Sequence, residues 1–214
     1  MARLDIYWSY RSPYSHLAID RLAAISEDYD IETRFRPVRP LAMREPDFFE
    51  KNRPQFLPYL LKDAFREGMR LGVPIGPPRP DPIRMDMMSG KVEPEQPLMT
   101  RLMSLAVAAG EMERGLAFAR AVSPRIWGGA ENWHEGTVLA EAAGEAGLDL
   151  SALEDWAARN GPRIAEIVAE NEADQLKHHW GVPLMVLDDE DPYFGQDRLD
   201  ALIWRLDQRG LKKS

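Results

Sequence analysis

The sequence predicts an α/β protein in which one small sheet is interrupted, between its second and third strands, by a large all-α insertion. Three observations predict it. The chain opens as strand, helix, strand; a long helical middle follows; and strand character returns only near Pro183. With 214 residues, 44% hydrophobic and 29% charged, the chain has ordinary globular composition and length enough for a core without staples.

Leu4 to Trp8 reads as a short strand ended by a polar break. From Pro13 the pattern turns helical, with Leu17, Leu22, Ala23 and Ile25 near one face; Pro13 suits a first turn and Ser12 an N-cap. Ile31 to Pro37 then alternates Ile31, Thr33 and Phe35 with Glu32, Arg34 and Arg36, the period of a half-buried strand. Two strands joined through a helix imply a parallel pair. Helical patterns follow over 58–71, 98–121, 134–146, 151–158 and 162–178, with Ser151 and Glu154 forming a capping box and Gly147 and Gly161 as stops. The proline-heavy stretch from Pro74 to Pro97 reads as an ordered loop draped on the surface or as a mobile lid. Pro183 to Asp188 is a strand, Tyr193 to Gly195 pairs back on it as a hairpin, and Leu199, Leu202, Ile203 and Leu206 mark a final amphipathic helix. The boundaries expected are residues 1–42 with 179–214 for the sheet domain and 43–178 for the helical insertion.

Composition removes several function classes. The 27 basic residues are outnumbered by 35 acidic ones, which argues against binding a phosphate backbone and so against a nucleic-acid partner. The absence of cysteine excludes disulfides, zinc–thiolate sites, iron–sulfur clusters and a cysteine nucleophile within the chain. The first residues lack the features of a signal peptide, and no apolar run is long enough for a membrane span, so a cytoplasmic location with no membrane partner is expected.

Three constellations carry possible chemistry. Ser12-Pro13-Tyr14-Ser15 lies at a helix N-terminus, where the positive dipole end and a hydroxyl donor stabilise an anion such as a thiolate; Ser12 as a plain N-cap is the alternative. Gly181-Val182-Pro183 opens the returning strand. With a cis bond Val182 offers its backbone to a peptide-like ligand; with a trans bond it is an ordinary strand start. Gly195-Gln196-Asp197-Arg198 precedes the last helix, and Asp197 either caps that helix or, with Gln196, binds an ammonium group. The pair His178-His179 reads as cations ending a helix rather than as metal ligands, and Met85-Asp86-Met87-Met88 as gap-filling packing.

Taken together, Ser12-Pro13-Tyr14-Ser15, Gly181-Val182-Pro183 and Phe194-Gly195-Gln196-Asp197-Arg198-Leu199 resemble the family of 2-hydroxychromene-2-carboxylate isomerases and kappa-class glutathione transferases, relatives of the DsbA-like disulfide oxidoreductases. Weaker echoes are Arg36-Pro37, Asn52-Arg53-Pro54 and Arg125-Ile126-Trp127, and the likeness runs nearly end to end. The resemblance implies a thioredoxin-like fold, with Ser12 where an oxidoreductase has the first cysteine of Cys-x-x-Cys. It implies glutathione as cofactor, its sulfur hydrogen-bonded by Ser12. Val182, before a cis Pro183, would hold the cysteinyl portion, Gln196 and Asp197 the γ-glutamyl end, and Asn52 would border the pocket. It also implies a homodimer.

Two departures alter the charge beside the sulfur: Ser9 stands where an acidic residue is common, and Arg11 where an apolar one is. Arg11 or Arg84 is a candidate to hold a substrate carboxylate, with surface ion pairing as the alternative. The function expected is glutathione-dependent isomerisation of aromatic-derived conjugated acids. A kappa-like transferase acting on electrophilic substrates and a non-catalytic peptide-binding module are the alternatives.

Overall fold

A computed structural model describes residues 1–52, 55–135 and 137–213. Four strands form the sheet: β1 (Ala2–Trp8), β2 (Ile31–Pro37), β3 (Leu184–Leu187) and β4 (Asp191–Phe194), in the order β2-β1-β3-β4. β1 runs parallel to β2, from Ala2 opposite Ile31 to Trp8 opposite Pro37, and antiparallel to β3, from Leu4 opposite Leu187 to Tyr7 opposite Leu184. The hairpin to β4 turns through Asp188 and Asp189, both at positive φ (51° and 66°), which short polar residues tolerate. Pro192 is accommodated because β4 is an edge strand.

As the central strand, β1 is buried on both faces, and its alternation divides the core. Leu4, Ile6 and Trp8 join the large cluster that runs through α1 (Pro13–Asp28) and into the helical insertion, while Tyr7 packs with Val38, Leu184 and Val186 on the other face. That second face also holds Asp5, 1% exposed, whose carboxylate accepts from Arg36 Nε at 2.7 Å and Arg3 Nε at 3.2 Å.

The insertion comprises α2 (Leu41–Arg44), α3 (Phe48–Asn52), α4 (Phe56–Leu71), α5 (Pro97–Glu111), α6 (Gly115–Trp127), α7 (Val138–Glu145), α8 (Leu150–Arg159) and α9 (Gly161–Leu176); α10 (Leu199–Gln208) follows the sheet. The single helix expected over 98–121 is two. Glu113 takes a left-handed conformation (φ 58°), and Gly115 then opens α6 against Phe35, where a Cβ would come within 2.8 Å of the ring. At α8 the cap is Asp149, which accepts from Ala152 N–H at 2.8 Å; Ser151 already lies inside the helix and donates to Asp149. Gly161 starts α9 rather than stopping α8, whereas Gly147 (φ 73°) does follow the end of α7. No helix among the described residues is long and apolar enough to cross a membrane.

The 72–96 segment, which covers most of the proline-heavy stretch, is held to its surroundings at several points. Trp133 Nε1 donates to Pro80 O at 2.8 Å, and Gln96 both accepts from Arg84 N–H at 2.7 Å and donates back to Arg84 O at 3.0 Å. Of its methionines only Met85 packs on the core; Met87 and Met88 are exposed. His16 in α1 holds the start of the loop. Since a carbonyl can only accept, its Nε2–H donates to Pro74 O at 2.9 Å, and Nδ1 accepts from the Ser123 hydroxyl at 3.1 Å.

Burial holds the His16 pKa below its ordinary 6.5. The unfolded imidazole therefore takes up a proton that the folded one refuses, and stability, full above the unfolded value, falls as pH drops from 6.5 towards the lower folded value. Urea unfolding between about pH 7.5 and 5 is expected to show that decline, and His16→Gln a shallower one. His179, likewise lowered by burial, keeps the residual slope of the same sign.

Candidate functional site

The site is built where the N-terminus of α1 meets the segment leading into β3. Ser12 has the extended backbone of an N-cap (φ −95°, ψ 117°), and its Oγ accepts from Ser15 N–H at 3.2 Å. Pro13 at the first helical position needs no partner for a missing N–H. The Ser12 hydroxyl also donates to Val182 O across a long 3.4 Å, and the Val182–Pro183 bond is cis. Ser15, which occupies the second cysteine position of the Cys-x-x-Cys pattern, is fully buried, and its Oγ has no hydrogen-bond partner among the described residues. Tyr14 between them donates its hydroxyl to Asp63 of α4 at 2.8 Å; burial first, and that bond second, raise its pKa, so the phenol stays protonated and ties α1 to α4.

The Val182 segment is held from several sides. Gln175, fully buried in α9, donates to Gly181 O at 2.7 Å, and Arg44 donates to Trp180 O at 2.9 Å. Gly181 is required by a close approach, since a Cβ there would lie 2.5 Å from the Phe194 ring. His179 stacks on Phe194 with centroids 3.7 Å apart, and its Nδ1 accepts from Gly181 N–H at 2.9 Å. An accepting nitrogen and a pKa lowered by burial make His179 a neutral brace, not the cationic helix end expected from sequence. Pro183 O accepts Gly195 N–H at 2.9 Å, which brings the 3₁₀ turn Gln196–Arg198 alongside.

Within that turn the two candidate residues differ. Gln196 is 3% exposed and fully engaged: Arg21 of α1 donates to its Oε1, and its Nε2 donates to Glu67 of α4 at 2.8 Å. Asp197 makes no side-chain cap to the turn or to α10; its carboxylate is 58% exposed, 3.6 Å from Arg198. Asn52, exposed at the end of α3, donates to Phe48 O of its own helix at 2.9 Å. Arg53 and Pro54, the rest of that motif, lie outside the described residues. Arg11 does not present an open guanidinium: it pairs through two bonds with Asp81 and lies over the Phe49 ring.

The structure thus joins Ser12 to Val182, sets Pro183 against the Gln196–Asp197 turn, and leaves Asp197 as an exposed carboxylate beside Arg198. Sequence reasoning missed Arg21 and Glu67, which fix Gln196, and Asp81, which takes Arg11. It also missed the aromatic flank of Phe48, Trp180 and Phe194, whose rings stand 5.8 Å (Phe48 to Trp180) and 6.5 Å (Trp180 to Phe194) apart. A signal for the flank was available, because Trp180 and Phe194 each immediately precede a motif glycine.

A small mixed sheet, with a helix N-terminus facing a cis-proline across a hydroxyl, defines a thioredoxin-type domain. The chain belongs to the family of DSBA-like thioredoxin domains, whose model matches residues 3–207. Its fold is accordingly the thioredoxin-like one expected, with its helical insertion. Among solved structures it is similar to a 2-hydroxychromene-2-carboxylate isomerase, at 23% identity and TM-score 0.69, covering 97% of each chain. It is also similar to a probable DsbA oxidoreductase from Streptomyces coelicolor, at 15% identity and TM-score 0.69, covering 100% of this chain and 92% of that one. The cytosolic disulfide reductase DsbM from Pseudomonas aeruginosa, solved with GSH, matches at 15% identity and TM-score 0.59, covering 96% and 99%. No curated protein matches the sequence.

Proposed function

We propose that this domain is a glutathione-dependent isomerase of the 2-hydroxychromene-2-carboxylate type, acting on aromatic-derived conjugated acids. The observation that carries the reading is Ser12, a hydroxyl at the positive end of α1 facing the cis-proline segment of a chain with no cysteine. Disulfide exchange by the chain's own residues is excluded on that count, so any thiol used at the site comes from outside.

The residues fit such a guest. The Ser12 hydroxyl spends its proton on a long bond to Val182 O and is free to turn it towards a sulfur, while Ser15 N–H keeps the oxygen in place. The exposed carboxylate of Asp197, only loosely paired with Arg198, suits the γ-glutamyl ammonium group, and Gln196, locked between Arg21 and Glu67, sets the turn that presents it. Val182 offers its backbone to the cysteinyl portion. The exposed faces of Trp180 and Phe194 beside it give an aromatic acid an apolar wall. That DsbM, of the same fold, is solved with GSH supports glutathione as the guest.

When bound, glutathione supplies a thiolate that adds reversibly to a conjugated carbon, so that the bond can rotate before elimination returns the thiol. Ser12 keeps that sulfur ionised, the terminus of α1 stabilises its charge, and Asp197 fixes the far end of the tripeptide.

Turnover of a conjugated aromatic acid with glutathione present, followed alongside free thiol, tests the reading. Conversion with constant thiol is the expected result; consumption of thiol makes the protein a transferase, and no heat on titrating glutathione overturns both. Asp197→Ala is expected to weaken glutathione about tenfold while turnover at saturating glutathione is retained, as loss of one charge-assisted hydrogen bond requires.

A further inference from the structure

The turn ahead of Ser12 carries a charge pair that the sulfur chemistry does not itself require. Arg11 is the residue immediately before the N-cap, its Cα about 3.8 Å from that of Ser12. Its side chain is 12% exposed and forks onto Asp81, Nε to Oδ1 at 2.9 Å and Nη2 to Oδ2 at 2.8 Å. Asp81 Oδ1 is fixed in turn by Ile83 N–H at 2.9 Å, and the guanidinium lies 5.4 Å from the centroid of Phe49. Asp81 belongs to the 72–96 loop, anchored nearby through Pro80 and Trp133. A fixed cation beside a thiol favours the ionised form, and a fixed carboxylate on that cation offsets it. Any field that Arg11 exerts at the N-cap therefore comes with that of Asp81, and only half of the pair is visible in the motif.

We propose that Asp81 is a positioning residue for the sulfur at Ser12. By holding Arg11 in a two-point fork against Phe49, it offsets the Arg11 charge. The Ser12 hydroxyl and the end of α1 are then left to set the stability of the thiolate. This rests on the glutathione reading for the identity of the sulfur, but the electrostatics belong to the chain and can be measured without the tripeptide.

Ser12→Cys supplies the probe, a unique thiol in a chain that has none, whose pKa follows from the pH dependence of its alkylation. In that background Asp81→Asn is expected to lower the thiol pKa by about half a unit, and Arg11→Gln to raise it by about as much. Combining the two returns it close to the starting value. All shifts shrink as salt is raised. The other titratable and charged groups on the elements that meet at the turn are the same residues in all four proteins, among them Tyr14, His16 and Arg21 of α1, Asp63 and Glu67 of α4, His179 before the cis-proline, and Asp197 and Arg198 of the 3₁₀ turn.

A role limited to anchoring the loop would move both single variants the same way and leave the double variant furthest from the start. That pattern, or equal pKa values in all four proteins, overturns the proposal. Should Asp81→Asn fail to give the native circular dichroism spectrum, Asp81→Ser makes the same comparison. Failure of glutathione to bind the unaltered protein would sink the functional reading and leave these shifts standing. Flat shifts with glutathione bound would sink only the role of Asp81.

Discussion

Replacing Ser12 with alanine is expected to raise the pKa of thiol bound at the α1 terminus by about one to two units, because the hydroxyl donor that faces Val182 there is lost. From an ordinary thiol value of roughly 8.5, even a protein that begins well below it would then hold mostly neutral thiol at pH 7. Turnover at neutral pH should fall about tenfold or more and recover as the pH is raised past the new pKa. Calorimetric binding of glutathione should persist, since Val182 and the Gln196–Asp197 turn are untouched. The lost cap costs about 1 kcal/mol of stability, too little to explain such a profile. A pH–rate curve unchanged by the substitution would remove Ser12 from the chemistry.

The second large effect lies on the opposite side of the sheet. Asp5→Ala removes the buried carboxylate that holds Arg36 and Arg3, leaving Arg36 with Asn171 Oδ1 at 3.2 Å and the more distant Asp174 at 3.8 Å. Breaking a buried pair by deleting one partner costs about 3–5 kcal/mol, and because Arg36 and Arg3 keep some solvent the expected loss is about 3 kcal/mol. For a domain of this size that corresponds to a fall of about 6–12 °C in Tm. Asp5→Leu combined with Arg36→Leu should recover part of the loss, since an apolar pair strands no charge. Thermal unfolding of the three proteins checks it, and equal Tm values would show that the network contributes nothing.

The sheet was legible because its signals are local: the alternation of Ile31 to Pro37, the proline opening β3 and the acidic turn before β4 each lie within a few residues. The break between α5 and α6 was not, because the alanine-rich run from Leu105 to Ala109 continues a helical pattern up to the turn, and the ring that Gly115 makes room for, Phe35, is supplied by β2. At Asp149 and Ser151 two capping side chains stood two residues apart, and the structure uses the first. Ser12 and Pro183 were readable as motifs for the same local reason. The engagement of Gln196 by Arg21 and Glu67, and of Arg11 by Asp81, was not, because those partners are 175, 129 and 70 positions apart and sequence spacing is silent on them.

The central strand draws its two neighbours from opposite ends of the chain: Ala2 faces Ile31, while Leu4 faces Leu187. During synthesis, therefore, one side of β1 can be paired almost at once, and the other stays bare until the whole helical insertion has left the ribosome. The nascent protein carries an open ladder edge through most of its translation, and the same late-arriving segment that completes the sheet brings Val182 and Asp197 with it. A chain interrupted within the insertion would therefore lack the second neighbour of β1 as well as the residues proposed to hold the tripeptide.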